Sequence, residues 1–297
     1  MAIGLITYQD TTRAEDVVDL ITNVDYKNTP LLSGLGESVA YNTLHEWLTD
    51  AYSSSADNAA VENSDATIVD LTQPTRATNV VQMFRKVISV SDTERAVKVY
   101  GQSDPYTYQM QKAMVELARD IEKALMAGTV ASGASGTARR LGGVIAKITT
   151  NATARNSGTS LSETEFNDIM AGVWNGGTDQ FADEVYVGSY LKRVISGYTG
   201  GSTKYVQSED KRLTNAVDVY EGDFGVHKLF LHREVPTNTV VAVDSKKWRI
   251  AYLNDRRPKH IPLSKTGSST KGMIEGELTL EALNEKSSAK RSGYFVG

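Results

Sequence analysis

The chain has 297 residues and a mass of 32.3 kDa, enough to bury one large core or two of ordinary size. Lys and Arg number 32 against 36 Asp and Glu, so the basic excess on which a dedicated nucleic-acid binder depends is missing and any DNA would be contacted only weakly. Cysteine is absent, which removes disulfides, thiolate nucleophiles and Cys-type zinc sites.

No apolar run approaches the ~20 residues of a membrane span, and Met1-Ala2-Ile3-Gly4-Leu5-Ile6 lacks the basic and apolar regions of a signal peptide. Residues 1–38 read as an arm. Asp16–Ile21 has the pattern of one or two helical turns, and Thr29-Pro30 breaks it, because proline steers the preceding residue away from the helical region. Such a segment cannot bury a core alone and needs another surface. Residues 39–49 alternate, with Val39, Tyr41, Thr43, His45 and Trp47 on one face, and predict a strand. Residues 50–66 are rich in Ala, Ser, Asp and Asn and form a polar tip, and Asn79–Val90 predicts a second strand. The span 39–95 is thus a long hairpin. Two strands alone are marginal in water, so the hairpin is expected to lie on a partner surface.

The clearest element is Pro105–Ala127. Asp104 is a good N-cap, Pro105 suits the first helical position, and Gly128 can end the helix. Tyr106, Met110, Met114, Leu117, Ile121 and Leu125 make one apolar stripe, with Glu116, Arg119, Asp120, Glu122 and Lys123 largely on the other faces. At ~1.5 Å per residue this helix is roughly 33 Å long, a spine. A Gly/Ser/Ala link, 128–143, follows. Ser162 and Glu165 have capping-box spacing before a helix with the apolar face Phe166, Ile169, Met170, Val173 and Trp174. Glu184–Val187 predicts a strand leading into a helix at Tyr190–Ser196. Strands are predicted again at Val226–His232, Val240–Val243, Trp248–Leu253 and Ile274–Leu283.

The motifs carry little chemistry. Gly222-Asp223-Phe224-Gly225 contains a kinase-like triplet without the other kinase elements and reads as a tight turn. The Gly128–Gly136 link follows a helix and has no Gly-Lys-[Ser/Thr] ending, so it is a connection and not a phosphate cradle. His227 and His232, five apart on a predicted strand, point to opposite faces and cannot chelate together. No catalytic, cofactor-binding or metal-binding set emerges. Basic groups at Arg139-Arg140, Lys211-Arg212 and Arg256-Arg257-Pro258-Lys259 offer partners for acidic patches on neighbours. Trp47, Phe84, Arg85, Arg139, Arg140, Arg256 and Arg257 are the candidates for contacts between subunits, whereas Trp174 completes a helix face and is expected in the core.

The order of elements is the informative feature: arm, polar-tipped hairpin, spine helix, Gly-rich link, α/β insertion, late return strand. With Asp120-Ile121-Glu122-Lys123-Ala124-Leu125, Leu141-Gly142-Gly143-Val144, Val185-Tyr186-Val187-Gly188-Ser189 and Gly225-Val226-His227 leading to Val235-Pro236, it resembles the major capsid proteins of tailed double-stranded-DNA phages. The resemblance implies an α+β fold with an N-terminal arm at 1–38, an extended hairpin loop at 39–95, a peripheral domain at 96–149 that resumes at 246–297, and an axial domain at 150–245. It also implies a non-enzymatic subunit that assembles with itself into hexamers and pentamers of an icosahedral head enclosing double-stranded DNA. Its partners would be a separate scaffolding protein, a portal and decoration proteins, with no membrane and no cofactor. Assembly would take place in the host cytoplasm and the product would be the virion. Two other readings stand beside it: a hydrolase-like α+β enzyme, and a nanocompartment shell of the same fold.

Overall fold

The computed structural model describes residues 29–53, 55–65, 71–99, 103–176, 181–198 and 218–296. The helical turns expected at Asp16–Ile21 and the Lys211-Arg212 pair lie outside these residues. Pro30 starts a helix, α1 (Pro30–Gly34), at the position where a missing N–H is harmless. The strand expected at 39–49 is interrupted at residues 41–43, giving β1 (Gly36–Ala40) and β2 (Leu44–Thr49). The second expected strand also splits, into β3 (Thr75–Val80) and β4 (Gln82–Ser91). Then come α2 (Asp92–Ala96), α3 (Pro105–Ala127), α4 (Val144–Lys147), β5 (Ala152–Thr159), α5 (Glu163–Asn175), β6 (Glu184–Val187) and α6 (Ser189–Ser196). The chain ends with β7 (Val219–Gly222), β8 (Gly225–Leu231), β9 (Thr239–Val243), β10 (Trp248–Leu253), β11 (Lys259–Leu263), β12 (Ser269–Ala282) and β13 (Ala289–Tyr294).

These strands build two sheets and one isolated hairpin. The first sheet runs β1-β10-β12-β11, and β4 adds to β12 in an antiparallel ladder from Gln82↔Leu278 to Ser91↔Ser269. The second runs β5-β13-β9-β6-β8-β7, and β2 pairs only with β3. The hairpin is therefore shorter than the sequence implied, because β4 belongs to the body. Its even positions Phe84, Ile88 and Val90 are buried toward α3 while Met83, Arg85 and Val87 face outward, the period of a strand with one covered face.

The α3 boundaries follow the local chemistry. Asp104 accepts from the Tyr106 and Thr107 amides, and Pro105 opens the helix. The Arg95 guanidinium beside it, with the Thr107 hydroxyl, holds the Asp104 carboxyl down to about 2. The buried row is Ala113, Leu117, Ile121 and Leu125, with Met126 beside it. Two turns carry the row from Tyr106 to Ala113, so Met114 is left 47% exposed, not packed as its place in the stripe implied. Each fully buried Leu or Ile of this row contributes about 1.5–3 kcal/mol. The helix lies on the first sheet against Phe84, Ile88, Ile250, Ile274, Leu278 and Leu280.

The second core packs α5 and α6 on the second sheet, where Phe166, Ile169, Met170, Val173, Leu191 and Ile195 meet Val185, Val187, Val240 and Ala242. Tyr186, Val241 and Val243 point to the opposite face and join the first core. β6 and β9 are thus covered on both sides, which is why Thr239–Val243 is apolar without alternation. Trp248, at the joint between the sheets, is fully buried and donates its indole N–H to Ser288 Oγ at 2.8 Å. Trp174 departs from expectation: it is 54% exposed and stacks on Phe181 at 5.5 Å, because α5 turns only Phe166, Ile169, Met170 and Val173 inward.

Candidate assembly surface

The hairpin joins the body through a few anchors at its base. Asn79 is buried; its amide donates to the Gly142 and Leu280 carbonyls at 3.0 and 2.7 Å, and its Oδ1 accepts from the Gly142 amide at 2.9 Å. Trp47 donates its indole N–H to the Ala282 carbonyl at 2.8 Å and packs on the first core. Beyond these anchors the hairpin buries little. The six β2–β3 pairs end at Thr49↔Thr75, and Leu48 within the ladder and Tyr52, Val61 and Leu71 past it are 69 to 104% exposed. A trough of about 1040 Å³ separates the hairpin base from Lys147, Lys247 and residues 283–286. Large apolar groups on an unsupported two-stranded ribbon mark a surface completed by another molecule.

A second feature gathers three of the sequence-selected arginines. Glu275 and Glu277 project from β12 on the side away from α3. Arg85 reaches them from β4, Arg256 from the β10–β11 turn, and Arg139 from the link after α3. Arg85 Nε donates to Glu275 at 2.6 Å, and Arg256 Nη2 donates to Glu275 at 2.6 Å and to Glu277 at 2.9 Å. Arg139 Nη2 donates to Glu277 at 3.1 Å. Burial pushes the Glu275 carboxyl up, but the hydrogen bonds from Arg85 and Arg256 outweigh it and hold it below the usual carboxylate range. The clasp borders a cleft of about 560 Å³ lined by Met83, Arg85, Gly133, Ala134, Thr137 and Arg139. The Gly/Ser link itself is a small irregular hairpin, bridged at Ala131↔Arg140 and Ala134↔Thr137.

The remaining candidates separate. Arg140 is exposed on the same link but does not line the cleft. Arg257 pairs with Glu37 and lies 4.6 Å from the centre of the Tyr252 ring, apart from the clasp. Phe84 is only 6% exposed and belongs to this chain's own core, so it offers no surface to a neighbour.

Sequence reasoning missed Glu122, which it assigned to a polar face. It is 3% exposed and accepts from the Leu31 and Leu32 amides and from His232 Nε2, all at 2.8–2.9 Å. The Glu234 amide donates to His232 Nδ1, so the imidazole proton sits on Nε2. His227 is buried elsewhere, with Nδ1 against the Ala182 carbonyl. Among the described residues no group of three or more His, Asp or Glu is arranged to hold a metal, and no helix is long and apolar enough to cross a membrane. Gly222-Asp223-Phe224-Gly225 is the turn between β7 and β8.

Comparison with solved structures places this architecture. The capsid of a native GTA particle superposes with a TM-score of 0.70 at 11% identity, covering 97% of both chains. A chain from Microbacterium phage Oxtober96 gives 0.65 at 12% identity, covering 96% of both. The fold is that of tailed-phage capsid subunits. In sequence, the major capsid protein of Escherichia phage Phieco32 is 25% identical over 94% of either chain. The model of the SU10 major capsid protein family matches residues 5–294, and the chain belongs to that family. It is a structural subunit of the icosahedral capsid of a tailed phage, a component of the virion.

Proposed function

We propose that copies of this chain assemble as hexamers and pentamers into a head that encloses double-stranded DNA, each copy laying its hairpin across a neighbour. The observation that carries this reading is the hairpin itself: a two-stranded ribbon anchored by Trp47 and Asn79, with Leu48, Tyr52, Val61 and Leu71 left in solvent. In this arrangement α3 and the first sheet form the peripheral body, and residues 150–245 form the axial domain, pointing to the centres of the rings. Residues 1–38 act as an arm on a neighbouring copy. The subunit performs no catalysis and contacts packaged DNA weakly, in keeping with its net charge of −4. A scaffolding protein, a portal and decoration proteins complete the assembly, which takes place in the host cytoplasm.

The test is removal of residues 52–66. Both cores lie outside this segment, so the subunit is expected to keep its circular-dichroism spectrum and cooperative unfolding while closed particles disappear from electron micrographs. Normal particles from the deleted chain would overturn the reading.

A further inference from the structure

Resting on that reading, we propose that the hairpin tip is an acidic plug whose socket, on a second copy of the chain, is the cleft beside the Arg85–Arg139–Arg256 clasp. The charge pattern of the tip is one-sided. Between Trp47 and Arg76 there is no Lys or Arg, and there are five carboxylates: Asp50, Asp57, Glu62, Asp65 and Asp70. Asp57, Glu62 and Asp65 are fully in solvent and make no ion pair among the described residues. A run of like charge on a ribbon that buries nothing costs self-repulsion and gives the subunit nothing on its own. It gains a role when an opposite patch receives it.

The clasp supplies that patch. Its three guanidinium groups face two carboxylates, leaving one positive charge over, and the exposed Arg140 on the same link adds another. The Arg85 side chain is still 51% exposed after bonding Glu275, so it retains outward donors. Glu275 and Glu277 hold the guanidinium groups in a fixed array, and pre-ordered donors lose less entropy when an anion arrives. The apolar surroundings match as well. Met83 and Val87, 40% and 62% exposed, stand beside the arginines on the outer face of β4, and Val61 stands among the tip carboxylates at 79% exposed. Fully extended, the roughly 13 residues between the last hairpin pair and Glu62 reach about 40 Å, enough to cross onto an adjoining copy. Among the described residues Asp57, Glu62 and Asp65 meet no basic group of their own chain, and the proposal therefore seats them on a second copy.

A charge swap in the full-length chain tests the contact. The tip is reversed by Asp57→Lys, Glu62→Lys and Asp65→Lys. The socket is reversed in its lining by Thr137→Glu and Ala138→Glu, both exposed, which leaves the clasp intact. Each set alone is expected to lower the yield of closed shells about tenfold or more, with unchanged circular dichroism, and the two sets combined in one chain are expected to restore it. Wild-type yield from the tip-reversed chain, or no rescue in the combined chain, overturns the proposal while leaving the shell function standing. The chains are produced in cells that carry the remaining head proteins; absence of shells from the unmodified chain in that preparation would overturn the shell arrangement and this contact with it.

Discussion

The Glu122 carboxylate accepts hydrogen bonds from two segments that lie about a hundred residues away on either side. The Leu31 and Leu32 amides are the first free N–H groups of α1, so Glu122 ends the one-turn helix that a five-residue segment could not otherwise hold. His232, just past β8, brings the second sheet to the same oxygen. One side chain on α3 thereby ties α1 and the exit of β8 to the helix. Removing it strands one buried and one part-buried amide and a buried imidazole N–H. Glu122→Ala is expected to cost about 3–5 kcal/mol in urea unfolding of the unassembled subunit. Glu122→Gln, which keeps one carbonyl acceptor, should cost less. A loss below about 1 kcal/mol in the alanine variant would show that α1 and the β8 exit hold their places without this carboxylate.

At the scale of elements, the end of α3 and the start of α4 meet at Gly143. A Cβ there would stand 2.7 Å from the Ala124 carbonyl oxygen and the Gly128 nitrogen and 2.8 Å from the Leu125 carbonyl oxygen, all backbone atoms that no rotamer change can move. The Gly128 carbonyl accepts from the Gly143 amide at 2.9 Å, so the link closes on itself at this point. Gly143→Ala should destabilise the subunit by about 1–3 kcal/mol, read as a lower urea midpoint with an unchanged slope; an unaltered midpoint would mean that the link relaxes freely. Leu141-Gly142-Gly143-Val144 entered only as part of the family resemblance, and its close approach to α3 shows in the structure alone. Asp104-Pro105 and Gly128 announced both ends of α3, because capping is local and leaves local marks. β5, β11 and β13 left none. Ala152–Thr159, Lys259–Leu263 and Ala289–Tyr294 are polar or mixed in composition, and they become strands through ladders with distant partners. The same limit applies to the clasp. The arginines were visible as basic groups, but Glu275 and Glu277 looked like the wet face of an alternating strand. Only the pairing of β4 with β12 and the fold of the 128–143 link bring Arg85, Arg256 and Arg139 onto them.

At the scale of the whole molecule, stability is divided unevenly. Two cores, joined at Trp248 and along β6 and β9, carry the body, while the hairpin beyond Thr49↔Thr75 contributes almost no buried area. Local opening free energy follows buried contacts, so the free subunit should exchange the amide protons of residues 50–53 and 71–73 at nearly unprotected rates, while α3, β9 and β12 exchange only through global unfolding. In the proposed arrangement assembly changes the ribbon's environment more than that of the two cores. In closed shells the same hairpin amides should become protected by at least about a hundredfold, because opening them now requires breaking a contact with another copy, worth about 2.7 kcal/mol at that factor. Protection in α3 should move little. Hydrogen exchange read by mass spectrometry on free subunit and purified shells separates the two responses in one experiment. Equal exchange of the hairpin in both states would mean that the ribbon is free in the shell as well, and that closure is held by the peripheral and axial surfaces alone.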